Sequence, residues 1–328
     1  MFGLIMLVAS LLGLGEVQGS QIDQQCVKGH VMKVTTYNIF EGGGDKERLE
    51  RLASWMVQNC FSTDNNSIDL GVVAMNECNG WDTEWRLNHF LGHCRNIHHV
   101  LMPCRTGYHI GFLSQKPIRV VSMITEEPFH HGLLHVEVEG IHFLVCHLSP
   151  RDSLTRLKEC EEIIRIARGL SEDGVPLVLL GDLNSLSPRD AQHHGELVQR
   201  FRGDQRLARK FLRVANGTEF LDYRPIELLE SSFTDMYLGV GAGEESDCSE
   251  QATVPTRIYT DDMHAAKMRL DYILVNSILS SKTLHASKAA PVRDSETDLL
   301  SDHYPVSCTL TFHRPLETTM SNACSVKV

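Results

Sequence analysis

The apolar run Val175-Pro176-Leu177-Val178-Leu179-Leu180 stops abruptly at Gly181-Asp182-Leu183-Asn184. A short apolar run bounded by turn residues reads as a strand buried on both faces, which requires further layers of structure above and below it. Gly181 allows close approach of another group or an unusual backbone angle. Asp182 and Asn184 stand two apart, so in extended chain they share one face. The pair serves equally well as an Asx turn closing the strand or as a means of positioning water and phosphate oxygens. The five residues alone do not choose between the two.

The same punctuation recurs along the chain. Met32-Lys33-Val34-Thr35-Thr36-Tyr37 reads as a strand ending at Asn38, and Ile68 to Met75 runs into Asn76-Glu77-Cys78. Leu133 to Glu139 and Ile141 to His147 read as two strands meeting at Gly140, with Ile141, Phe143, Val145 and His147 on one face of the second. Arg269 to Val275 is a strand with Asp271 embedded in it, and Ser301-Asp302-His303-Tyr304-Pro305-Val306 leads into a last strand ending near Phe312. Two short strands are expected around Arg105-Thr106-Gly107-Tyr108-His109, and another at Arg119 to Ile124. Helical spacing places helices over Asp45 to Cys60, Trp81 to Leu91 and Ser153 to Arg168; the last has Leu154, Leu157, Cys160, Ile163, Ile164 and Ala167 as its apolar stripe and closes at Gly169. His193 to Val214 reads as helical and locally basic. Strand, helix and strand alternate, which favours a layered α/β fold.

Length and charge narrow the class. The chain has 328 residues and a 42% hydrophobic share, enough to bury a proper core. A formal charge of −11 excludes a general electrostatic pull on nucleic acid or anionic membrane, though not a local basic patch or a bound cation. Met1 to Leu14 is almost wholly apolar and too short to span a bilayer, and Val17 and Gly19 hold the small-residue positions of a cleavage site. The expected division is therefore a signal peptide over 1–19, one domain over 20–312 and a polar tail over 313–328, in a secreted chain with no later membrane span. Ten cysteines agree with an oxidising compartment and suggest disulfides of undetermined pairing, with Cys78 and Cys146 read as buried thiols inside strands. Asn65-Asn66-Ser67 and Asn216-Gly217-Thr218 are glycosylation sequons.

Asn38, Glu77, His147, Asp182, Asn184 and Asp271 thus each sit at the end of, or within, an apolar strand, and Asp302-His303 precedes one more. Strand ends in a layered sheet converge on one edge, so these residues mark an active-site rim. Burying so many polar groups without a function would cost stability. Carboxylates with imidazole and no thiolate suit magnesium, manganese or calcium rather than zinc. Phosphate ester hydrolysis uses such a set: a cation to neutralise phosphate and leaving oxygen, a base for water, and oriented donors for the developing charge.

The ordered motifs Asn38, Glu77, His147, Gly181-Asp182-Leu183-Asn184, Arg269-Leu270-Asp271-Tyr272 and Ser301-Asp302-His303-Tyr304-Pro305-Val306 resemble the endonuclease/exonuclease/phosphatase superfamily, the deoxyribonuclease I-like fold. The resemblance runs from about Lys33 to Phe312 and implies a four-layer α/β sandwich, two mixed sheets packed face to face with helices outside. It implies Glu77 as the principal metal ligand with Asn38 beside it and Asp302 close by. His303, held by Asp271, would face the scissile phosphate, with His147 as a second donor or general acid. Asp182 would orient or deprotonate the attacking water, and Asn184 would contact phosphate. Asn76 departs from the glutamine that many members carry before the metal glutamate.

The resemblance implies a metal-dependent phosphodiesterase acting on nucleic acid, with magnesium, or manganese or calcium, as cofactor and no obligate protein partner. A sphingomyelinase- or inositol-phosphatase-like activity keeps the same chemistry on a different substrate; no exposed amphipathic hairpin for membrane docking is evident in the sequence. A binding protein without turnover is the third reading, against which the complete motif set argues. The pairs His98-His99, His130-His131 and His193-His194 are poor metal sites, since adjacent residues of a strand point to opposite faces.

Overall fold

The structure is a computed structural model that describes residues 30–61, 68–94, 96–238, 251–258 and 266–312. The expected signal peptide, the polar tail, Cys26, Cys248, Cys324 and the sequon at 65–67 lie outside the described residues.

In chain order the elements are β1 (His30–Asn38), a single turn α1 (Phe40–Gly43), α2 (Lys46–Cys60), β2 (Leu70–Asn76), α3 (Glu84–His93), β3 (His98–Met102), β4 (Ile110–Ser114), β5 (Arg119–Ile124), β6 (Leu133–Val138), β7 (Ile141–His147), α4 (Ser153–Glu172) and β8 (Leu177–Asp182). The second half continues through α5 (Leu197–Arg202), α6 (Gln205–Phe211), β9 (Leu212–Ala215), β10 (Thr218–Leu221), α7 (Arg224–Glu230), β11 (Thr234–Asp235), β12 (Asp271–Val275), α8 (Ser277–Lys282), β13 (Thr283–Ala286), β14 (Ala290–Pro291) and β15 (Val306–Phe312). Two mixed sheets result: a seven-stranded one ordered β13-β15-β1-β2-β4-β3 with β14 on β15, and a six-stranded one ordered β11-β12-β8-β7-β6-β5.

The two sheets pack face to face over Met32, Val34, Val72, Phe112, Val136, Phe143, Val145, Leu180 and Ile273. Leu49, Leu52 and Met56 of α2 and Phe90 of α3 cover the outer face of the first sheet, and Cys160, Ile163 and Ala167 of α4 with Ile226 and Leu229 of α7 cover that of the second. This is the four-layer sandwich, with central strands such as β2, β7 and β8 buried on both faces as their continuous apolar runs require. Asp45 caps α2 by accepting from Arg48 N at 2.9 Å, and Asp152 caps α4 by accepting from Thr155 N at 2.9 Å.

Register brings the polar strand ends together. In the parallel pair β1–β2, Asn38 stands beside Asn76; in the parallel pair β7–β8, His147 stands beside Asp182; and in the antiparallel pair β12–β8, Asp271 stands beside Asp182.

Several expectations are corrected. The segment His193–Val214 is not one helix: α5 and α6 are short, and Arg213 and Val214 belong to a hairpin whose turn, Asn216-Gly217, has φ of 52° and 76°. Asn-Gly with both φ positive suits a two-residue hairpin turn, which outweighs helical charge spacing here. Helix α4 runs through Gly169 to Glu172, and Leu154 of its expected apolar stripe is 62% exposed, because in that first turn Ser153 and Arg156 take the buried side. Cys60, Cys78, Cys94, Cys104, Cys146, Cys160 and Cys308 are free and buried, so the disulfide framework expected from the cysteine count is not formed among them. They fill core positions as small apolar groups, and burial raises their thiols.

Candidate active site

Gly181 decides how closely the strands meet. Its φ is 143°, and a Cβ there would fall 1.9 Å from the Cys146 carbonyl oxygen, so only glycine lets β8 run this close to β7. Beside it, Asn76 ties the two sheets: its Nδ2 donates to Cys146 O at 3.1 Å and its Oδ1 accepts from Asp182 N at 2.9 Å.

Asp182 uses its two oxygens differently. Oδ1 accepts from Asn184 N at 2.8 Å, closing the Asx turn that brings Asn184 to φ 49°. Oδ2 faces three partners at once: Asn38 Nδ2 at 3.2 Å, His147 Nε2 at 3.4 Å and His303 Nε2 at 3.8 Å. Asn38 Nδ2 also donates to Glu77 Oε1 at 3.1 Å, while Asn38 Oδ1 accepts from Phe40 N at 3.1 Å. Glu77 follows β2 in the left-handed region at φ 61°, and its second oxygen accepts from Glu41 N at 3.1 Å. Ser301 closes the ring, donating to Asn38 O at 2.6 Å and lying 3.3 Å from Asp302 Oδ1. His303 Nδ1 meets Asp271 Oδ2 at 2.7 Å. Asn38, Glu77, His147, Asp182, Asp271, Asp302 and His303 therefore form one connected cluster. Asn184 adjoins it through the Asx turn, with its amide donating to Leu148 O at 2.9 Å.

The charges follow from these contacts. Burial raises the Asp182 carboxyl, but the His147 hydrogen bond and the two imidazoles outweigh it and hold Asp182 far below the usual carboxylate range. Burial lowers the imidazole of His147, yet the Asp182 hydrogen bond and charge outweigh it and raise the ring above its ordinary value. Burial also lowers His303, and Asp271, then Asp302, overcome this and push it up to about 10. The site thus sets two imidazoles, both raised by carboxylates, around one carboxylate held ionised.

Three residues escaped the sequence reading. His131 stacks on His147 with 4.3 Å between centroids at 15°, and its Nδ1 lies 2.6 Å from Thr106 Oγ1; burial and the His147 charge keep it neutral. Arg156 is wholly buried and joins Ser149 O at 2.9 Å and Ser185 Oγ at 2.8 Å to the carbonyl of Lys210. Lys210, on α6, is 4% exposed; burial pushes its ammonium down to about 8 against the opposing pull of Asp182, Glu77 and Asp302. Lysine in a basic helix reads as solvated, so only the fold reveals that this one turns inward. By contrast Arg202, Arg206 and Arg209 pair with Glu219, Asp204 and Asp152, which spends much of the insert's apparent positive charge locally. Arg105 pairs with Glu126 at 3.3 Å and His109 with Asp82 at 3.4 Å, both apart from the cluster.

The donor set suits a hard divalent cation. Glu77, Asp182, Asp271 and Asp302 supply oxygens, and one donor atom each from Asp182, Asp271 and His303 fall within 4.8 Å of one another. The thiols of Cys78 and Cys146 point into the apolar cores instead. Glu77 and Asp302, which the resemblance implies as ligands, both join this cluster, Glu77 through Asn38 Nδ2 and Asp302 through Ser301.

A family model described as Endonuclease/Exonuclease/phosphatase family matches residues 35–303. No curated protein sequence matches the chain. Among solved structures, the chain is similar to an AP endonuclease from Archaeoglobus fulgidus at 17% identity and a TM-score of 0.55, covering 84% of this chain and 98% of that one. It is similar to the 3'-5' exonuclease NExo from Neisseria meningitidis at 16% identity and a TM-score of 0.56, covering 84% and 98%. Truncated TDP2 from Caenorhabditis elegans aligns at 15% identity and a TM-score of 0.52, covering 86% and 97%.

Proposed function

This chain belongs to the endonuclease/exonuclease/phosphatase family, and on that premise we propose that it is a secreted phosphodiesterase that cleaves nucleic acid by in-line attack of water. The coarser class, a metal-dependent phosphoester hydrolase, follows from the family and from the acidic cluster. The observation that carries the reading is the meeting of Asn38, His147 and His303 on one oxygen of Asp182.

Glu77 and Asp302 would hold a divalent cation, which when bound would neutralise the phosphate and the leaving oxygen. The protein's own groups do the rest. Asp182, ionised and fixed by Asn76 and Asn184, accepts a hydrogen bond from water and aims its lone pair at phosphorus. His303, oriented by Asp271, and His147, oriented by Asp182, present N–H donors to the phosphoryl oxygens where charge builds. His147 is the general acid for the leaving oxygen. Lys210 adds a positive charge on the same side as Asp182.

One observation favours the phospholipid reading as a second. The β9–β10 hairpin, which continues from the helix bearing Lys210, exposes Val214 (70%) and Phe220 (45%). The two lie on opposite faces of the ladder, Val214 opposite Glu219 and Phe220 opposite Arg213, so the hairpin has no single apolar face and only its exposed apolar side chains suit an interfacial substrate. The exposed sequon at its tip argues the other way, because a glycan on Asn216 would block insertion. Secretion rests on the apolar leader Met1–Leu14; among the described residues no helix is long and apolar enough to cross a membrane.

The test is a magnesium-dependent screen on duplex DNA, single-stranded RNA and sphingomyelin vesicles, with His303→Ala as control. Cleavage of nucleic acid that chelator abolishes and His303→Ala loses is expected. Release of choline phosphate with intact nucleic acid selects the second reading, and silence on all three overturns both.

A further inference from the structure

The helices on the outer face of the seven-stranded sheet carry a second set of donors, remote in sequence from every residue of the cleft. His89 and His93 stand one turn apart on α3, so their imidazoles project from the same helix face. Across the helix pair, Glu50 of α2 meets them: its Oε1 lies 2.8 Å from His89 Nε2. The His89 and His93 rings stand edge to face with centroids 5.6 Å apart. One donor atom from each of the three falls within 4.8 Å of the others.

We propose that Glu50, His89 and His93 form a zinc site that pins α3 to α2, separate from the catalytic cleft. Two imidazoles and one carboxylate suit a borderline dication; magnesium and calcium prefer oxygen donors and bind such a set weakly. Three protein ligands leave a fourth, tetrahedral position for water. The pairs of adjacent histidines fail as metal sites because neighbours in a strand diverge, whereas a spacing of four on a helix converges. The competing partner is weak: Lys46 Nζ lies 3.8 Å from Glu50 Oε1 with 69% of its side chain exposed, so it yields at little cost.

The site has a mechanical consequence. Arg86 Nη1, on the same helix, donates to Gly42 O at 3.1 Å and Gly44 O at 2.6 Å, and Trp81 Nε1 donates to Gly42 O at 2.9 Å. Gly42 N in turn donates to the carbonyl of Glu77 at 2.6 Å. Zinc between α2 and α3 therefore stiffens the wall from which Glu77 and Glu41 reach the cleft, without touching it.

The experiment titrates zinc chloride into full-length, chelator-stripped protein against a chromophoric competitor, for wild type, Glu77→Gln, His93→Ala and Glu50→Gln. Wild type and Glu77→Gln should share one zinc that weakens roughly tenfold or more in His93→Ala, since even partners of a ligand cost that much. Zinc should raise the melting temperature of Glu77→Gln but not of His93→Ala, and magnesium should not substitute. His93→Ala should keep its magnesium-supported turnover. His93 is exposed, and Glu50→Gln repeats the test should its folding suffer. Equal zinc number and affinity in wild type, His93→Ala and Glu50→Gln would overturn the proposal, as would the absence of any zinc in Glu77→Gln.

Discussion

Replacing Lys210 by methionine should stabilise this protein while disabling it. Burial pushes the Lys210 ammonium from an ordinary 10.5 down to about 8. At roughly 1.4 kcal/mol per tenfold change, keeping it charged costs the fold about 3 kcal/mol at neutral pH. The sign follows from linkage: a lysine whose folded value lies below its unfolded one carries its full penalty below about 8, and the penalty is relieved as pH rises toward 10.5. Urea unfolding of Lys210→Met at pH 7 should therefore show a gain of up to about 3 kcal/mol, shrinking toward zero by about pH 10.5. If that charge serves the phosphate, where a charge-assisted hydrogen bond contributes about 1.5–3 kcal/mol, kcat/KM should fall roughly 10- to 150-fold. Wild-type activity should decline above about pH 8 as Lys210 loses its proton, and that limb should vanish in the variant. A variant that is less stable at pH 7, or as active as wild type, would refute the reasoning.

Asp271→Asn removes the carboxylate that raises and orients His303, and kcat should drop roughly 10²- to 10⁴-fold, measured by turnover. Gly181→Ala places a Cβ 1.9 Å from the Cys146 carbonyl at a φ of 143°, so a loss of more than ~3 kcal/mol or a failure to fold is expected in denaturant titration. Arg269 pairs at 2.9 Å with Asp190 and 2.6 Å with Asp235, all buried, so Arg269→Met strands two carboxylates and should cost about 3–5 kcal/mol at pH 7.

The strand ends were legible because each apolar run stops on a polar residue that a core would not otherwise accept. Asn38, Glu77, His147 and Asp182 announce themselves this way, while Asp271 stands embedded in its strand and His303 just before one. Gly181 was legible for a related reason: glycine inside a buried strand signals close approach. Asn76 read as a mild substitution, since nothing local shows that its amide spans to Cys146 and Asp182, 70 and 106 residues away. Lys210 and Arg156 were hidden among charges that helical surfaces usually carry. The β9–β10 hairpin was hidden too, because Arg213 continues the periodicity of the basic residues of α6, and only Asn216-Gly217 marks the turn. The cysteines misled because their number speaks of redox compartment, while their burial speaks of packing.

The central claim is that side chains from both sheets converge on one cation and one phosphate. Crystals soaked with manganese and a non-hydrolysable phosphodiester test it by anomalous scattering. The account predicts a manganese peak held by Glu77 and Asp302, with the phosphate against His303 and His147. A manganese peak bound away from Glu77, or a phosphate touching neither histidine, would contradict it.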